Sequence, residues 1–166
     1  MIETAAVTDI RVKVADYGVG CAGQTLTTIG LGSCVAIVLY DPAARVGGLA
    51  HVLLPNESMA RDRGNPAKFP GPAVALLLQE MTRLGADVRR VQAKLVGGAS
   101  MFGNLLPSGG INVGERNVVA AREVLASRGI PLLAEDTGSD HGRTVVFHLD
   151  DGRVEVRSLK KGNRVV

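Results

Sequence analysis

The sequence predicts a layered α/β or α+β domain in which a mixed or mostly antiparallel sheet carries two helices on its outside. Three observations support this fold class. Short segments rich in aliphatic and β-branched residues recur along the chain, two longer segments place apolar residues at helical spacing, and the two patterns do not alternate regularly. Regular alternation would instead favour a doubly wound parallel sheet.

The composition is that of an ordinary globular protein. The chain has 166 residues, of which 46% are apolar and 21% charged, and we expect one domain over residues 1–166. Only 3% of the residues are aromatic, so the core must be mainly aliphatic. No apolar run approaches the ~20 residues that span a bilayer, and no secretory signal pattern is seen. With two cysteines and no disulfide framework, we expect a cytoplasmic protein with reduced thiols.

The first third of the chain is predicted to form strands. Residues 11–19 alternate in polarity, and residues 24–31 are rich in β-branched side chains. Residues 34–41 and 46–55 are almost continuously apolar, which is typical of strands covered on both faces. Residues 56–71 are polar and contain several turn-forming residues, so we expect an exposed, mobile loop.

Two helices are predicted in the remainder of the chain. The first is indicated by apolar residues at helical spacing before Gly85, namely Val74, Leu77, Leu78, Met81 and Leu84. The second follows Asn112, a predicted N-cap with Glu115 in capping-box position, and ends at Gly129. Its buried stripe is expected to contain Ala121, Val124 and Leu125.

Four further strands are predicted around these helices. Residues 91–98 form a strand that runs into a second glycine-rich turn. Residues 130–136, 143–149 and 153–159 form three short strands, the last two joined as a hairpin.

The segment GLGSCVAIVLYD, residues 30–41, places Cys34 where a glycine-rich turn enters a strand. A cysteine attacks as thiolate, so its pKa of about 8.5 must be lowered by a cation or by oriented amides. The N–H groups of Ser33 and Cys34 are candidates to hold an oxyanion, and we assign Ser33 and Gly32 to oxyanion binding and substrate positioning. VGGAS (96–100) and Asn104 are candidate walls of such a site, or form a simple turn.

His51 is the best placed base. It lies in the strand after that of Cys34, and a turn centred near residue 42 would bring residues 34 and 51 level on antiparallel strands. The other ring nitrogen needs a partner, for which Thr28 and Asp136 are rival candidates.

These residues carry a family resemblance. The segment LTTIGLGSCVAIVLYDPAARVGGLAHVLLP resembles the signature region of CheD, the chemoreceptor glutamine deamidases of bacterial and archaeal chemotaxis. The resemblance continues through LGADVRRVQAKLVGGASMF and NVGERNVVAAREVLASRGIPLLAEDTGSDHGRTVVF and covers roughly residues 10–158. It implies a nucleophilic Cys34, a general base His51 and a catalytic Thr28, in a three-layer α/β/α sandwich similar to deamidating bacterial cytotoxins.

The resemblance also implies the chemistry and the partners. Receptor glutamines would be converted to glutamates with release of ammonia, without a metal or other cofactor. Methyl-accepting chemotaxis receptors would be the substrates, with a CheC-type phosphatase as a further partner, without nucleic acid and without membrane insertion. In place of a polar stretch before the first helix, this chain has KFPGPAV, so Pro70 and Pro72 alter a region expected to contact substrate.

The sequence is also compatible with other functions. A non-catalytic adaptor that binds a receptor or a CheC-type phosphatase is the main alternative, and a redox-sensing thiol is a third class. The net charge of +3 and scattered basic residues favour nucleic-acid binding only weakly. GLGSC lacks the spacing of a phosphate-binding loop, and Cys34 with His51 provides too few ligands for a structural zinc.

Overall fold

The computed structural model describes residues 7–60, 64–101 and 112–166. These ranges contain ten strands, two α-helices and three short 3-10 turns. The strands are β1 Thr8–Arg11, β2 Tyr17–Cys21, β3 Gln24–Leu31, β4 Val35–Asp41, β5 Val46–Val52, β6 Gln92–Gly97, β7 Leu132–Thr137, β8 Arg143–His148, β9 Val154–Ser158 and β10 Gly162–Val165. The helices are α1 Pro70–Arg83 and α2 Val113–Ser127, and the 3-10 turns are Glu57–Met59, Pro66–Lys68 and Val88–Arg90.

The strands form two five-stranded sheets. The outer sheet has the order β1-β3-β8-β9-β10, and the central sheet has the order β2-β5-β4-β6-β7. The pairs β1–β3 and β6–β7 are parallel and the other pairs are antiparallel. The predicted α/β class with mixed, largely antiparallel pairing is therefore confirmed.

The central sheet is buried on both faces, and β4 shows why its sequence is continuously apolar. Val35, Ile37 and Leu39 pack with residues of α1 and α2. The alternate residues of β4, including Ala36 and Val38, pack instead against the outer sheet. Because side chains alternate along a strand, a strand between two layers is apolar at most positions, and the buried polar residues Asp41 of β4 and His51 of β5 are exceptions.

The order of the three layers differs from the one that the resemblance implies. Both described helices contact the central sheet, α1 through β2, β4 and β5 and α2 through β4, β6 and β7. The opposite face of the central sheet is covered by the outer sheet rather than by helices. In the described ranges, the central sheet therefore lies between a layer of two helices and the outer sheet. The apolar stripes of α1 and α2 both pack on the same face of the central sheet.

The helices begin and end largely as predicted. Pro70 occupies the first turn of α1, where a missing N–H costs no hydrogen bond. The Asn112 side chain caps α2 by accepting a hydrogen bond from the N–H of Glu115. Val124, expected in the buried stripe of α2, is only partly buried.

Three sequence predictions need correction. Residues 11–19 do not form one strand, since Ala15 has a φ of 58° and the chain passes there from the outer to the central sheet. The loop 56–71 is not exposed throughout, because Ala67 and Phe69 are buried, and residues 61–63 lie outside the described ranges. Strand β10 was missed because all four of its residues are exposed and show no apolar pattern.

In the described ranges, neither helix combines the length and apolar character that a membrane-spanning segment requires. The extent of the domain, residues 1–166, stays a prediction.

Truncation of Leu77 tests the packing of α1 on the central sheet. Leu77 is fully buried, so we expect Leu77→Ala to lower the free energy of unfolding by about 2–5 kcal/mol in urea titrations. Leu84→Ala, just after the same helix at a side chain that is 47% exposed, should cost less than about 1 kcal/mol. Equal losses in the two variants would contradict this packing.

Candidate active site

Thr28 and His51 link the two sheets by a hydrogen bond. Thr28 is a buried residue of β3, and its Oγ1 lies 2.7 Å from Nδ1 of His51 on β5. The same Oγ1 donates its proton to the carbonyl of Val12 at 2.7 Å. A hydroxyl can donate only one hydrogen bond, so the Thr28 oxygen must accept a hydrogen bond from Nδ1–H of His51. This leaves Nε2 of His51 as the unprotonated ring nitrogen.

The electrostatics of His51 suit a base. Its side chain is fully buried, and burial lowers the pKa of His51 from 6.5 to about 4. The ring is therefore neutral at pH 7. Nε2 has no hydrogen-bond partner among the described residues, so its lone pair is available to accept a proton.

Cys34 lies on the same face of the central sheet as His51, though not level with it. His51 pairs with Ala36, and Cys34 precedes Ala36 by two residues. The prediction that residues 34 and 51 are level is wrong because the turn comprises residues 42–45, so its centre lies beyond residue 42. Side chains two apart on a strand share a face, and Cys34 packs in the apolar cluster between the two sheets. Cys34 and His51 are thus diagonal neighbours.

The resting cysteine is a neutral thiol. Burial raises the pKa of Cys34, and its own backbone N–H partly offsets this increase. The lowered pKa that the sequence predicts for this thiol is therefore wrong for the resting state. Since the thiol and the imidazole are both neutral, a thiolate at Cys34 would require a base such as the His51 imidazole to remove the proton of the thiol.

Glycines hold the turn that carries Cys34. The N–H of Gly98 donates to the carbonyl of Cys34 at 2.8 Å, and that of Ala99 donates to the carbonyl of Gly32 at 2.9 Å. Gly97 has a φ of 113°, and a Cβ there would lie 2.3 Å from the Cys34 carbonyl oxygen. Only glycine fits such an approach. VGGAS thus forms a wall behind Cys34, whereas Asn104 lies outside the described ranges.

The backbone N–H groups of Gly32, Ser33 and Cys34 differ in availability. The N–H of Gly32 donates to the carbonyl of Gly30 at 3.1 Å, so this residue contributes a tight turn rather than a free donor. Within the ranges the structure covers, the N–H groups of Ser33 and Cys34 have no acceptor in another residue. Both therefore remain available for an oxyanion.

Asp136, the rival partner for His51, is engaged elsewhere. Its carboxylate binds Arg143 at 3.1 Å and Arg164 at 3.3 Å. The described residues contain no group of three or more His, Cys, Asp or Glu side chains arranged to hold a metal ion.

Sequence reasoning missed Asn117, a fully buried polar residue of α2. Its Nδ2 donates to the carbonyls of Ser33 at 2.9 Å and Leu53 at 3.1 Å. The available signal was an amide within the apolar stripe of α2, next to Val118 and one turn before Ala121.

The buried neutral His51 makes stability depend on pH. Between pH 6.5 and about 4 the unfolded chain binds a proton at His51 that the folded protein does not. The free energy of unfolding should therefore decrease as the pH is lowered through this window. This group contributes a decrease of up to about 1.4 kcal/mol per pH unit. In urea unfolding followed by circular dichroism, His51→Gln should lose this contribution, and the two variants should differ by a constant amount above pH 7. Parallel curves down to pH 4 would contradict the assignment.

Comparison with solved structures supports the fold. A Neisseria meningitidis protein of the DUF152 family matches with a TM-score of 0.50 and 12% identity, over 89% of this chain and 73% of that chain. This likeness concerns the fold alone, and the expected similarity to deamidating cytotoxins stays a prediction.

Sequence comparisons identify the family. The family model described as CheD chemotactic sensory transduction matches residues 53–158. A relative from Caldanaerobacter subterraneus is 46% identical over 95% of this chain and 97% of its own length, and one from Pyrococcus abyssi is 47% identical over 93% and 94%. Both relatives are named probable chemoreceptor glutamine deamidases CheD. This chain therefore belongs to the CheD family.

Proposed function

We propose that this protein is a chemoreceptor glutamine deamidase that uses Cys34 as nucleophile, His51 as general base and Thr28 as the residue that orients His51. The observation that carries the proposal is the hydrogen bond from His51 Nδ1 to Thr28, which leaves a free Nε2 lone pair on the sheet face that bears Cys34. The names of the family relatives support glutamine deamidation.

The first half of the reaction forms a thioester. His51 Nε2 takes the proton of the Cys34 thiol as the sulfur attacks the carboxamide carbon of the substrate glutamine. The N–H groups of Ser33 and Cys34 donate to the oxyanion of the tetrahedral intermediate. The imidazolium then returns the proton to the departing nitrogen, ammonia leaves, and the acyl group remains on sulfur.

The second half releases glutamate. His51 removes a proton from a water molecule as the water oxygen attacks the thioester carbon. The carbon–sulfur bond breaks, and the thiolate of Cys34 takes the proton from the imidazolium. The product leaves as a carboxylic acid that releases its proton to solvent to become a glutamate side chain, and the enzyme returns to its resting thiol and neutral imidazole.

The Thr28 hydroxyl suits the proton transfers to and from His51. An aspartate in its place would stabilise the imidazolium and raise the pKa of His51. A neutral hydroxyl orients the ring without adding a charge, so His51 remains unprotonated between turnovers.

The burial of the site favours a slender substrate group. Cys34 is only 7% exposed, so the sulfur is accessible to an extended side chain rather than to a folded backbone. We propose the cytoplasmic helical domain of a methyl-accepting chemotaxis receptor as the source of that side chain. A net charge of +3 assists approach to an acidic receptor surface. Pairing with a CheC-type phosphatase and a cytoplasmic location stay predictions.

Mass spectrometry tests the activity. The protein is incubated with a receptor cytoplasmic fragment, and peptides are searched for conversion of glutamine to glutamate. We expect conversion at specific glutamines with the wild type and none with Cys34→Ala. Unchanged glutamines beside an active reference deamidase would refute the proposal. If receptor binding and chemotaxis in cells are both unchanged with Cys34→Ala, although loss of the whole protein impairs chemotaxis, the result favours the non-catalytic adaptor.

Substitution of Thr28 tests its orienting role. Thr28→Val keeps the shape of the side chain but removes the acceptor for Nδ1–H, so we expect kcat for deamidation to fall about tenfold or more. Thr28→Ser retains the hydroxyl and should keep most of the activity. Both are assayed below the melting temperature of the less stable variant. A wild-type kcat in Thr28→Val would remove Thr28 from the mechanism.

A further inference from the structure

Asn117 is a polar side chain in a position where α2 is otherwise apolar. The buried face of this helix also contains Gly114, Val118, Ala121 and Leu125. Asparagine is mostly an exposed residue, and a buried amide is found where it has hydrogen-bond partners. Its Oδ1 has no partner among the described residues, so the partners of Nδ2 account for an amide at this position.

Those partners belong to the two chain segments that bear the proposed nucleophile and base. Nδ2 donates one proton to the carbonyl of Ser33, the residue before Cys34. It donates the other to the carbonyl of Leu53, two residues after His51. A single amide group thus ties the end of β5 to the turn that precedes β4.

The bond to Ser33 also sets a direction. The carbonyl of Ser33 and the N–H of Cys34 belong to one planar peptide unit, in which they point in opposite directions. Since the carbonyl is directed toward Asn117 on α2, the N–H of Cys34 is directed away from α2. This N–H lies next to the sulfur of its own residue, where it favours the thiolate.

The position of Asn117 is itself constrained by close contacts. A Cβ on Gly114 would lie 2.3 Å from the carbonyl oxygen of Ala99, and one on Gly98 would lie 2.2 Å from the side chain of Val118. The first turns of α2 therefore pack directly on the glycine-rich turn that binds the carbonyls of Gly32 and Cys34. Helix α2, the glycine-rich turn and the turn that carries Cys34 are therefore packed together.

We propose that Asn117 is a positioning residue that holds the Ser33–Cys34 peptide so that the Cys34 N–H is aimed at the oxyanion. The inference rests on the proposed function for its kinetic consequence. Without the amide, the peptide unit can rotate, and the N–H loses its fixed direction before the reaction begins.

The kinetic test compares two truncations on one helix. Removing a whole oxyanion donor lowers kcat by about 10²–10³, and we expect Asn117→Ala, which only frees the donor, to lower kcat at least tenfold with KM changed by less than about threefold. The matched control is Leu125→Ala, a buried residue of α2 two turns further along. It should destabilise the fold at least as much and retain a wild-type kcat at temperatures where both variants are folded.

Two kinetic outcomes would overturn the inference. A wild-type kcat in Asn117→Ala shows that the amide does not act on the reaction, and equal losses of kcat in both variants show a purely structural role. If Asn117→Ala does not fold, Asn117→Ser is measured by the same criteria. Its short hydroxyl retains at most one of the two hydrogen bonds. We therefore expect its kcat to lie between that of the wild type and the value expected for Asn117→Ala, and a wild-type kcat would overturn the inference.

A receptor-free measurement separates this inference from the proposed function. In ¹H–¹⁵N spectra of the labelled protein, Asn117→Ala should move the backbone amide signal of Cys34, and Leu125→Ala should leave it in place. If the wild type modifies no glutamine but this signal responds as expected, the deamidase proposal fails and the positioning role stands. An unmoved Cys34 signal in Asn117→Ala overturns the positioning role, whatever the activity.

Discussion

The hydrogen bond between Thr28 and His51 is the interaction on which the candidate site depends. It joins a strand of the outer sheet to a strand of the central sheet in the buried layer between them. Because the Thr28 proton is already donated to the carbonyl of Val12, the bond also decides which nitrogen of His51 carries a proton. One contact thus sets both the orientation of the ring and its tautomer, and hence where a proton can be accepted.

Burial gives this pair its chemical character. In a layer shared with aliphatic side chains, both charged forms are disfavoured, so the pKa of His51 falls and that of Cys34 rises. Cys34 and His51 therefore form no ion pair in the resting protein. In the proposed mechanism, charge appears only while the substrate is present, when the N–H groups near Cys34 are already in place. Such preorganisation is more effective in a dry site than in water, because no solvent competes for the developing charge.

The helix layer supports the site from the opposite face of the central sheet. Asn117 reaches from α2 to the carbonyls of Ser33 and Leu53, while glycines at 97, 98 and 114 allow backbones to approach closely. These contacts explain why a turn with three small residues before Cys34 has a defined conformation. Flexible residues are ordered here by hydrogen bonds to packed neighbours rather than by their own side chains.

Local patterns in the sequence determined most of the elements, because apolar periodicity, glycine stops and the Asn112 cap act within a few residues. Thr28, Cys34 and His51 were candidates from the same local signals together with a family resemblance. Tertiary structure alone decided the other features: that a second sheet rather than a helix covers the central sheet, that His51 pairs with Ala36 rather than Cys34, and that Asn117 contacts the nucleophile turn. Each depends on groups far apart in the chain, and a pattern along the sequence carries no information about which distant surfaces meet.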